Sequence, residues 1–148
     1  MKKTLFLLLS VWLPSVVLAE NSAIVPAPRT TPTNWLARHE GFLAEAKQEK
    51  YELVFVGDSI TDGWRNRGRE VWNKVYAPRQ ALNLGIGGDR TQHVLWRIEH
   101  RELDGLNPKA VVLMIGTNNT GKEKDGSTRN STAEIIEGVT AVVKAIRV

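Results

Sequence analysis

Three turns of the sequence carry residue types that could perform acyl transfer. They supply a hydroxyl, backbone N–H groups and a side-chain amide, carried by Ser59, by the pair Gly87 and Gly88, and by Asn118. Acyl transfer needs a nucleophile, hydrogen-bond donors aimed at the developing oxyanion, and a base that takes the nucleophile's proton. The turns therefore predict a nucleophile at Ser59 and oxyanion donors at Asn118 and at one of the two glycines, which the residue types alone do not distinguish.

Each of these features also has an ordinary structural explanation. A serine after a strand is more often a helix N-cap than a nucleophile. A Gly-Gly pair usually forms a turn, and an asparagine after a strand is usually a turn residue or a cap. The hypothesis of a site depends on their joint placement after three successive strands.

The predicted strands are three short apolar runs, each of which ends at a glycine. They span residues 53–56, 81–84 and 110–115 and are followed by Gly57, Gly85 and Gly116. Continuous apolar runs of this length are typical of strands buried on both faces of a parallel sheet. The carboxyl ends of parallel strands meet at one edge of a sheet, so the three turns should lie close together.

Helical patterns alternate with these strands. They cover residues 35–50, with Asn34 as a candidate N-cap, then residues 68–75 and 91–99, and a last segment that begins at Ser131. Ser131 and Glu134 have the spacing of a capping box. The alternation predicts an α/β fold with a parallel sheet and helices on both sides.

The N-terminal region has a different character from the rest of the chain. Residues 1–19 have the pattern of a secretory signal peptide, with Lys2 and Lys3, an apolar stretch, and a small-residue cleavage site that ends at Ala19. Residues 20–33, rich in proline and threonine, predict an extended linker, and residues 34–148 form the predicted domain. We expect a secreted or periplasmic protein with no stable membrane insertion after cleavage.

Composition narrows the function classes. The formal net charge of +4 comes without a clustered run of lysine and arginine, so no nucleic-acid partner is expected. No His/Asp/Glu cluster has the spacing of metal ligands, and neither a metal nor another cofactor is predicted. The oligomeric state is left open.

The motifs resemble those of a known hydrolase family. Gly57-Asp58-Ser59-Ile60-Thr61, residues 83–89 and Gly116-Thr117-Asn118-Asn119 resemble the first three sequence blocks of the SGNH (GDSL-like) hydrolases. Residues 85–97 resemble more narrowly the catalytic-subunit branch of the platelet-activating-factor acetylhydrolases. The resemblance implies a three-layer α/β/α, flavodoxin-like esterase fold.

The resemblance also implies roles for individual residues. Ser59 would be the nucleophile, and the oxyanion hole would consist of its own amide, the Gly88 amide and the Asn118 side chain. Asp58 and Asp89 would be supporting residues. The expected substrate carries a small acyl group, with acetyl as the first expectation. A secreted protein favours an O-acetylated carbohydrate, and the resemblance also permits an acetylated lipid.

One block of the family pattern is missing. Family members carry an Asp-x-x-His block near the C-terminus, in which the histidine is the general base. The only histidines here are His39, His93 and His100, none in that spacing. His93 is expected to pack or hydrogen bond near the site, and His100 to lie at a solvated helix end. We therefore expect residues 34–148 to be the N-terminal part of a truncated SGNH hydrolase domain with little turnover of its own.

Three alternatives belong to other classes. A dinucleotide-binding turn would need a third glycine where Arg90 stands, and would follow the first strand. An α/β-hydrolase would need glycine in place of Thr61. The third is a non-catalytic or defective esterase-like protein that binds carbohydrate, in which Trp64 and Trp96 could line a sugar site, although core packing is the commoner role of such residues.

Overall fold

The computed structural model describes residues 20–147. In chain order its helices and strands are α1 (Trp35–Glu45), β1 (Leu53–Gly57), α2 (Ser59–Asp62), α3 (Arg69–Val71), β2 (Ala81–Gly85), α4 (Thr91–Glu99), β3 (Ala110–Met114) and α5 (Thr132–Ile146). Short 3₁₀ turns occupy Ser22–Ile24, Gly63–Arg65, Ala77–Arg79 and Thr117–Thr120, and a π turn, Trp72–Tyr76, follows α3. The predicted signal peptide lies outside the described residues, and within them no helix is long and apolar enough to cross a membrane.

The three strands form one parallel sheet in the order β2-β1-β3. Val54 of β1 lies level with Leu82 of β2 and Val111 of β3. The central strand is buried from Val54 to Gly57, which explains why its sequence is continuously apolar. The predicted strands and their parallel arrangement are thus confirmed, but burial on both faces is wrong for β3, an edge strand whose Val112 and Met114 are exposed.

Helices cover both faces of the sheet. On one face, side chains of α1, α4 and α5 form the main core with Val54 and Val56. On the other face, the ring of Phe55 packs against Trp72 and Tyr76, at centroid distances of 5.1 and 5.0 Å. This layering confirms the three-layer α/β/α, flavodoxin-like prediction.

Several element boundaries differ from the sequence prediction. Helix α1 ends at Glu45, five residues before the predicted end, and Asn34 makes no side-chain capping bond. Residues 68–75 form a single α turn followed by the π turn. The capping box of α5 is present, with the Ser131 side chain accepting from Glu134 N and the Glu134 side chain accepting from Ser131 N.

Residues 20–33, for which the sequence predicts an extended linker, pack against the domain. Ala23 is fully buried, and its carbonyl accepts a hydrogen bond of 2.7 Å from Thr91 Oγ1 at the start of α4. The Asn21 side chain bonds to Glu137 in α5 at 2.8 Å, and Ala27 N donates to Gln92 O. We call residues 20–33 the N-terminal strap, because these contacts fasten it across α4 and α5.

Candidate active site

Ser59 lies at the sharp turn between the central strand and α2. Asp58, which is buried, caps α2 by accepting a 3.0 Å hydrogen bond from Ile60 N. Gly57 permits the turn, since a Cβ there would lie 2.3 Å from both Met114 O and Thr61 Oγ1. The result is an exposed Ser59 at the first position of α2, at the carboxyl edge of the sheet.

The turn after β2 approaches the Ser59 turn closely. A Cβ at Gly87 would lie 3.7 Å from Ser59 Cβ, so any side chain there would contact the serine. Gly87 N donates to Asp62 Oδ2 at 3.3 Å, which joins this turn to α2. Gly88 has φ of +82°, a conformation that glycine adopts without strain.

Asn118, in the turn after β3, connects the other two turns. Its Nδ2 donates to Asp89 O at 2.8 Å and, over a longer distance of 3.4 Å, to Asp58 Oδ2. The structure therefore brings together the three turns that the sequence places after successive strands. Of the two Asn118 amide protons, the one directed at Asp58 makes the weaker bond and is the more easily turned toward a ligand.

Asn119, the next residue, fastens this turn to α4 and was not singled out from the sequence. It is fully buried, and its Oδ1 accepts from Thr91 N at 3.1 Å. Its Nδ2 donates to the side chains of Thr91, Gln92 and Asn130. These bonds hold the Asn118 turn in a fixed position beside α4.

Asp89 is the centre of a buried polar cluster behind the Gly88 turn. Its Oδ1 accepts from Trp35 Nε1 at 2.8 Å and from Arg29 Nη1 at 3.1 Å, and its Oδ2 lies 3.1 Å from Arg97 Nε. Burial raises the pKa of Asp89, although the charge of Arg97 and the bonds from Trp35 and Arg29 oppose the shift. The contacts of Asp89, like those of Asp58, are structural.

The cluster extends to the far end of α4. Arg97 and Glu102 are fully buried and form an ion pair of 2.6 Å, and Glu102 Oε2 lies 3.0 Å from His39 Nδ1. Arg97 Nη1 also donates to Leu84 O in β2 at 2.8 Å. These three residues tie α1, β2 and α4 together, and sequence reasoning did not assign them a common role.

None of the three histidines is bonded to Ser59. His93 Nδ1 accepts from Arg90 N at 2.9 Å, and burial, followed by the charges of Arg29, Arg90 and Arg97, lowers its pKa to about 3. His93 is therefore neutral at neutral pH, as its predicted packing role requires, and its 3.8 Å contact with Asp89 is not an ion pair. His39 contacts Glu102 and His100 O. His100 is exposed and stacks on Trp96 at 3.6 Å.

An open cleft of about 500 Å³ lies beside α2. Its lining includes Asp62, which makes two hydrogen bonds to Arg38 at 2.7 and 3.0 Å, and Phe42, whose ring lies under the Arg38 guanidinium at 5.7 Å. Burial acts to raise the pKa of Asp62, but the bonds and charge of Arg38, together with the Gly87 N–H and the charge of Arg65, outweigh it and lower the pKa. The cleft lining thus includes a pair of opposite charges, Arg38 and Asp62.

Trp64 and Trp96 make packing contacts. Trp64 lies in the aromatic cluster with Trp72 and Tyr76, and Trp96 contacts Trp35 at a centroid distance of 5.3 Å. Within residues 20–147, no group of three or more His, Cys, Asp or Glu side chains is arranged to hold a metal ion.

The chain is similar in sequence to several curated proteins. The platelet-activating factor acetylhydrolase IB subunit alpha1 of Bos taurus is 38% identical over 128 residues, which cover 82% of this chain and 51% of that protein. The subunit beta homolog of Drosophila melanogaster is 39% identical over 130 residues, which cover 86% and 53%. The chain thus spans about half the length of these curated relatives.

A solved structure and a family match complete the comparison. A Streptococcus pneumonia protein, provisionally described as a platelet activating factor, has the same fold with a TM-score of 0.51, 20% identity, and coverage of 77% of this chain and 51% of that one. Residues 55–148 match the GDSL-like Lipase/Acylhydrolase family. Because of this match and the identity to its curated relatives, the chain belongs to the GDSL-like lipase/acylhydrolase family.

Proposed function

We propose that the chain carries the nucleophile and the oxyanion donors of a serine ester hydrolase that removes small acyl groups. The observation that supports this most directly is the meeting of three turns, in which Asn118 bonds to residues adjacent to both Ser59 and Gly88. A hydroxyl and two kinds of N–H donor at one sheet edge are two of the three functions that acyl transfer requires, the third being a base.

The proposed reaction follows the usual acyl-enzyme route. The Ser59 hydroxyl loses its proton to a base, and its oxygen attacks the ester carbonyl carbon. The carbonyl oxygen becomes an oxyanion held by the amides of Ser59 and Gly88 and by Asn118 Nδ2. Collapse of this intermediate breaks the bond to the alcohol, which leaves with a proton, and water then hydrolyses the acyl-enzyme. Each oxyanion donor of this kind is typically worth about 10²- to 10³-fold in rate.

The general base is not among the histidines of this sequence, because all three are engaged elsewhere. Loss of the base in serine hydrolases costs roughly 10⁴- to 10⁶-fold in rate. We therefore expect slow acylation of Ser59 by activated esters and little turnover. The same contacts favour the second candidate function, an esterase-like protein without catalysis, which predicts no acylation at all.

Acylation of the full chain by p-nitrophenyl acetate, with imidazole added as an external base, tests the proposal. Mass spectrometry should find an acetyl group on Ser59 that is absent in Ser59→Ala and strongly reduced in Asn118→Ala. Ser131, a helix N-cap serine in the same protein, provides an internal control and should stay unmodified. Equal acetylation of Ser59 and Ser131, or none at either, would contradict the nucleophile assignment.

We further propose that the substrate is an O-acetylated carbohydrate or an acetylated lipid, and that residues 1–19 direct export. The relatives named as acetylhydrolases support the acetyl group, and the N-terminal sequence pattern supports export. N-terminal sequencing of the exported protein should begin at Glu20. A mature protein that begins at Met1 would contradict the signal-peptide proposal.

A further inference from the structure

The N-terminal strap places an arginine directly on the Gly87–Gly88 turn. Arg29 Nη1 donates to Gly87 O at 2.8 Å and to Asp89 Oδ1 at 3.1 Å. The guanidinium thus bonds to the residue on each side of Gly88. A Cβ at Gly88 would lie 3.0 Å from Arg29 Nη2 and 3.4 Å from Arg29 Cζ, so the guanidinium lies against the face of Gly88 that has no side chain.

The bond to Gly87 O constrains the amide proposed to stabilise the oxyanion. Gly87 C=O and Gly88 N–H belong to the same peptide group, which is planar, and in a trans peptide they point in opposite directions. Fixing the carbonyl oxygen therefore fixes the direction of the Gly88 N–H. Without the arginine, a glycine pair would rotate this peptide plane at little cost.

The positive charge of Arg29 also favours stabilisation of the oxyanion by the Gly88 N–H. A cation that donates to a peptide carbonyl makes a strong hydrogen bond and polarises the peptide, which makes the N–H on the other side a better donor. Asp62 holds the preceding peptide through Gly87 N, so both peptide groups of Gly87 are held by charged side chains. The turn is anchored from α2 on one side and from the strap on the other.

The strap is itself firmly attached, which allows Arg29 to act as an anchor. Ala23 is fully buried, and Ala27 N donates to Gln92 O at 3.1 Å, two residues before Arg29. The Arg29 side chain is only 18% exposed. Its position is thus set by packing of the strap on α4 and α5.

We propose that Arg29 is a positioning residue that orients and polarises the Gly87–Gly88 peptide, so that the N-terminal strap supports the oxyanion hole from behind. The proposal rests on the proposed role of Gly88 as an oxyanion donor. It assigns a role in the reaction to a segment whose composition predicts only a linker. Arg29 acts through the peptide and not on the substrate.

The test compares three variants of the full chain: Arg29→Ala, Arg29→Lys and, as a matched control, Arg101→Ala. Arg101 is an exposed arginine, with 80% of its side chain accessible, in the turn after α4. The first measurement is the rate at which a fluorophosphonate labels Ser59, a reaction in which the serine oxygen displaces fluoride and the serine proton goes to solvent base. The second is the amide cross-peak of Gly88 in glycine-labelled protein.

We expect Arg29→Ala to slow labelling of Ser59 by about 10- to 100-fold, part of the effect of losing an oxyanion donor. The Gly88 cross-peak should shift, and guanidinium ion at low millimolar concentration should restore both the rate and the peak position, whereas ammonium should not. Arg29→Lys keeps the charge but lacks the fork of donors, so it should lie between Arg29→Ala and the wild type. Arg101→Ala should behave as the wild type.

Two results would overturn the proposal: labelling of Arg29→Ala at the wild-type rate, or a Gly88 cross-peak at the wild-type position in that variant. A failure of the proposed esterase function would give a different result from these two. If Ser59 of the wild type is not labelled at all, the esterase proposal fails, and the position of the Gly88 cross-peak with and without guanidinium still decides whether Arg29 orients the peptide. If Arg29→Ala does not fold, the same comparison is made with Arg29→Lys.

Discussion

Gly138, in the middle of α5, lies directly against the N-terminal strap. A Cβ at this residue would lie 2.7 Å from Thr91 Oγ1 and 2.9 Å from both Cβ and O of Ala23. Two of these atoms, Thr91 Oγ1 and Ala23 O, form the hydrogen bond that fastens the strap to α4. Gly138→Ala should therefore displace the strap or break this bond.

The expected size of the effect follows from opposing contributions. Replacing a glycine inside a helix by alanine normally stabilises by about 1 kcal/mol. Overpacking costs typically about 1–3 kcal/mol, and the lost Thr91–Ala23 bond about 1 kcal/mol more. The costs exceed the gain, and we expect the free energy of unfolding to fall by about 2 kcal/mol in Gly138→Ala.

Gly41 provides a matched control in the same protein. It lies within α1, is exposed, and a Cβ there would have nothing within 4 Å. Gly41→Ala should therefore raise the free energy of unfolding by about 1 kcal/mol. Urea unfolding followed by far-ultraviolet circular dichroism measures both variants. Stabilisation of similar size by both substitutions would refute the close packing of the strap on α5.

Three further predictions concern the residues around the site. Asp58→Ala and Ser131→Ala each remove a helix N-cap, so each should lower the free energy of unfolding by about 1 kcal/mol. Only Asp58→Ala should also slow acylation of Ser59, and equal acylation rates in the two variants would contradict this prediction. Trp35→Phe removes the donor to a buried carboxylate and should cost about 2 kcal/mol in urea unfolding, whereas an unchanged midpoint would show that the bond contributes nothing. For Asp62, burial raises the pKa but the Arg38 pair outweighs it, so the folded-state pKa lies below the unfolded value. The stabilisation by this pair is complete above the unfolded pKa and is lost as pH falls through the folded pKa; the difference in unfolding free energy between wild type and Asp62→Asn should therefore shrink in acid, and a difference independent of pH would contradict the assignment.

The sheet and the turns could be predicted because local sequence patterns determine them. Each strand is a continuous apolar run that ends at a glycine, and the capping box at Ser131 marks the start of α5. The end of α1 was not predicted correctly because its charged tail has helix-forming residues but no apolar face to bury. Convergence of the three turns followed from parallel topology, which brings strand ends to one edge.

The strap and the buried charges could not be predicted in this way, since their roles come from contacts distant in sequence. Proline-rich composition suggested a linker over residues 20–33, but Ala23 packs on Gly138, more than a hundred residues away. An isolated glycine within a helical pattern was the one available signal of close approach. Sequence reasoning assigned Arg97 no role, although its spacing of three from Val94 places it on the buried face of α4.

The most direct test of the central claim is a crystal structure of the chain after reaction with a fluorophosphonate. We expect a phosphonyl group bonded to Ser59 Oγ. Its phosphoryl (P=O) oxygen should lie about 2.7–3.1 Å from the backbone nitrogens of Ser59 and Gly88 and from Asn118 Nδ2. An adduct on another residue, or a phosphonyl oxygen directed away from Gly88 and Asn118, would contradict the assignment of this site.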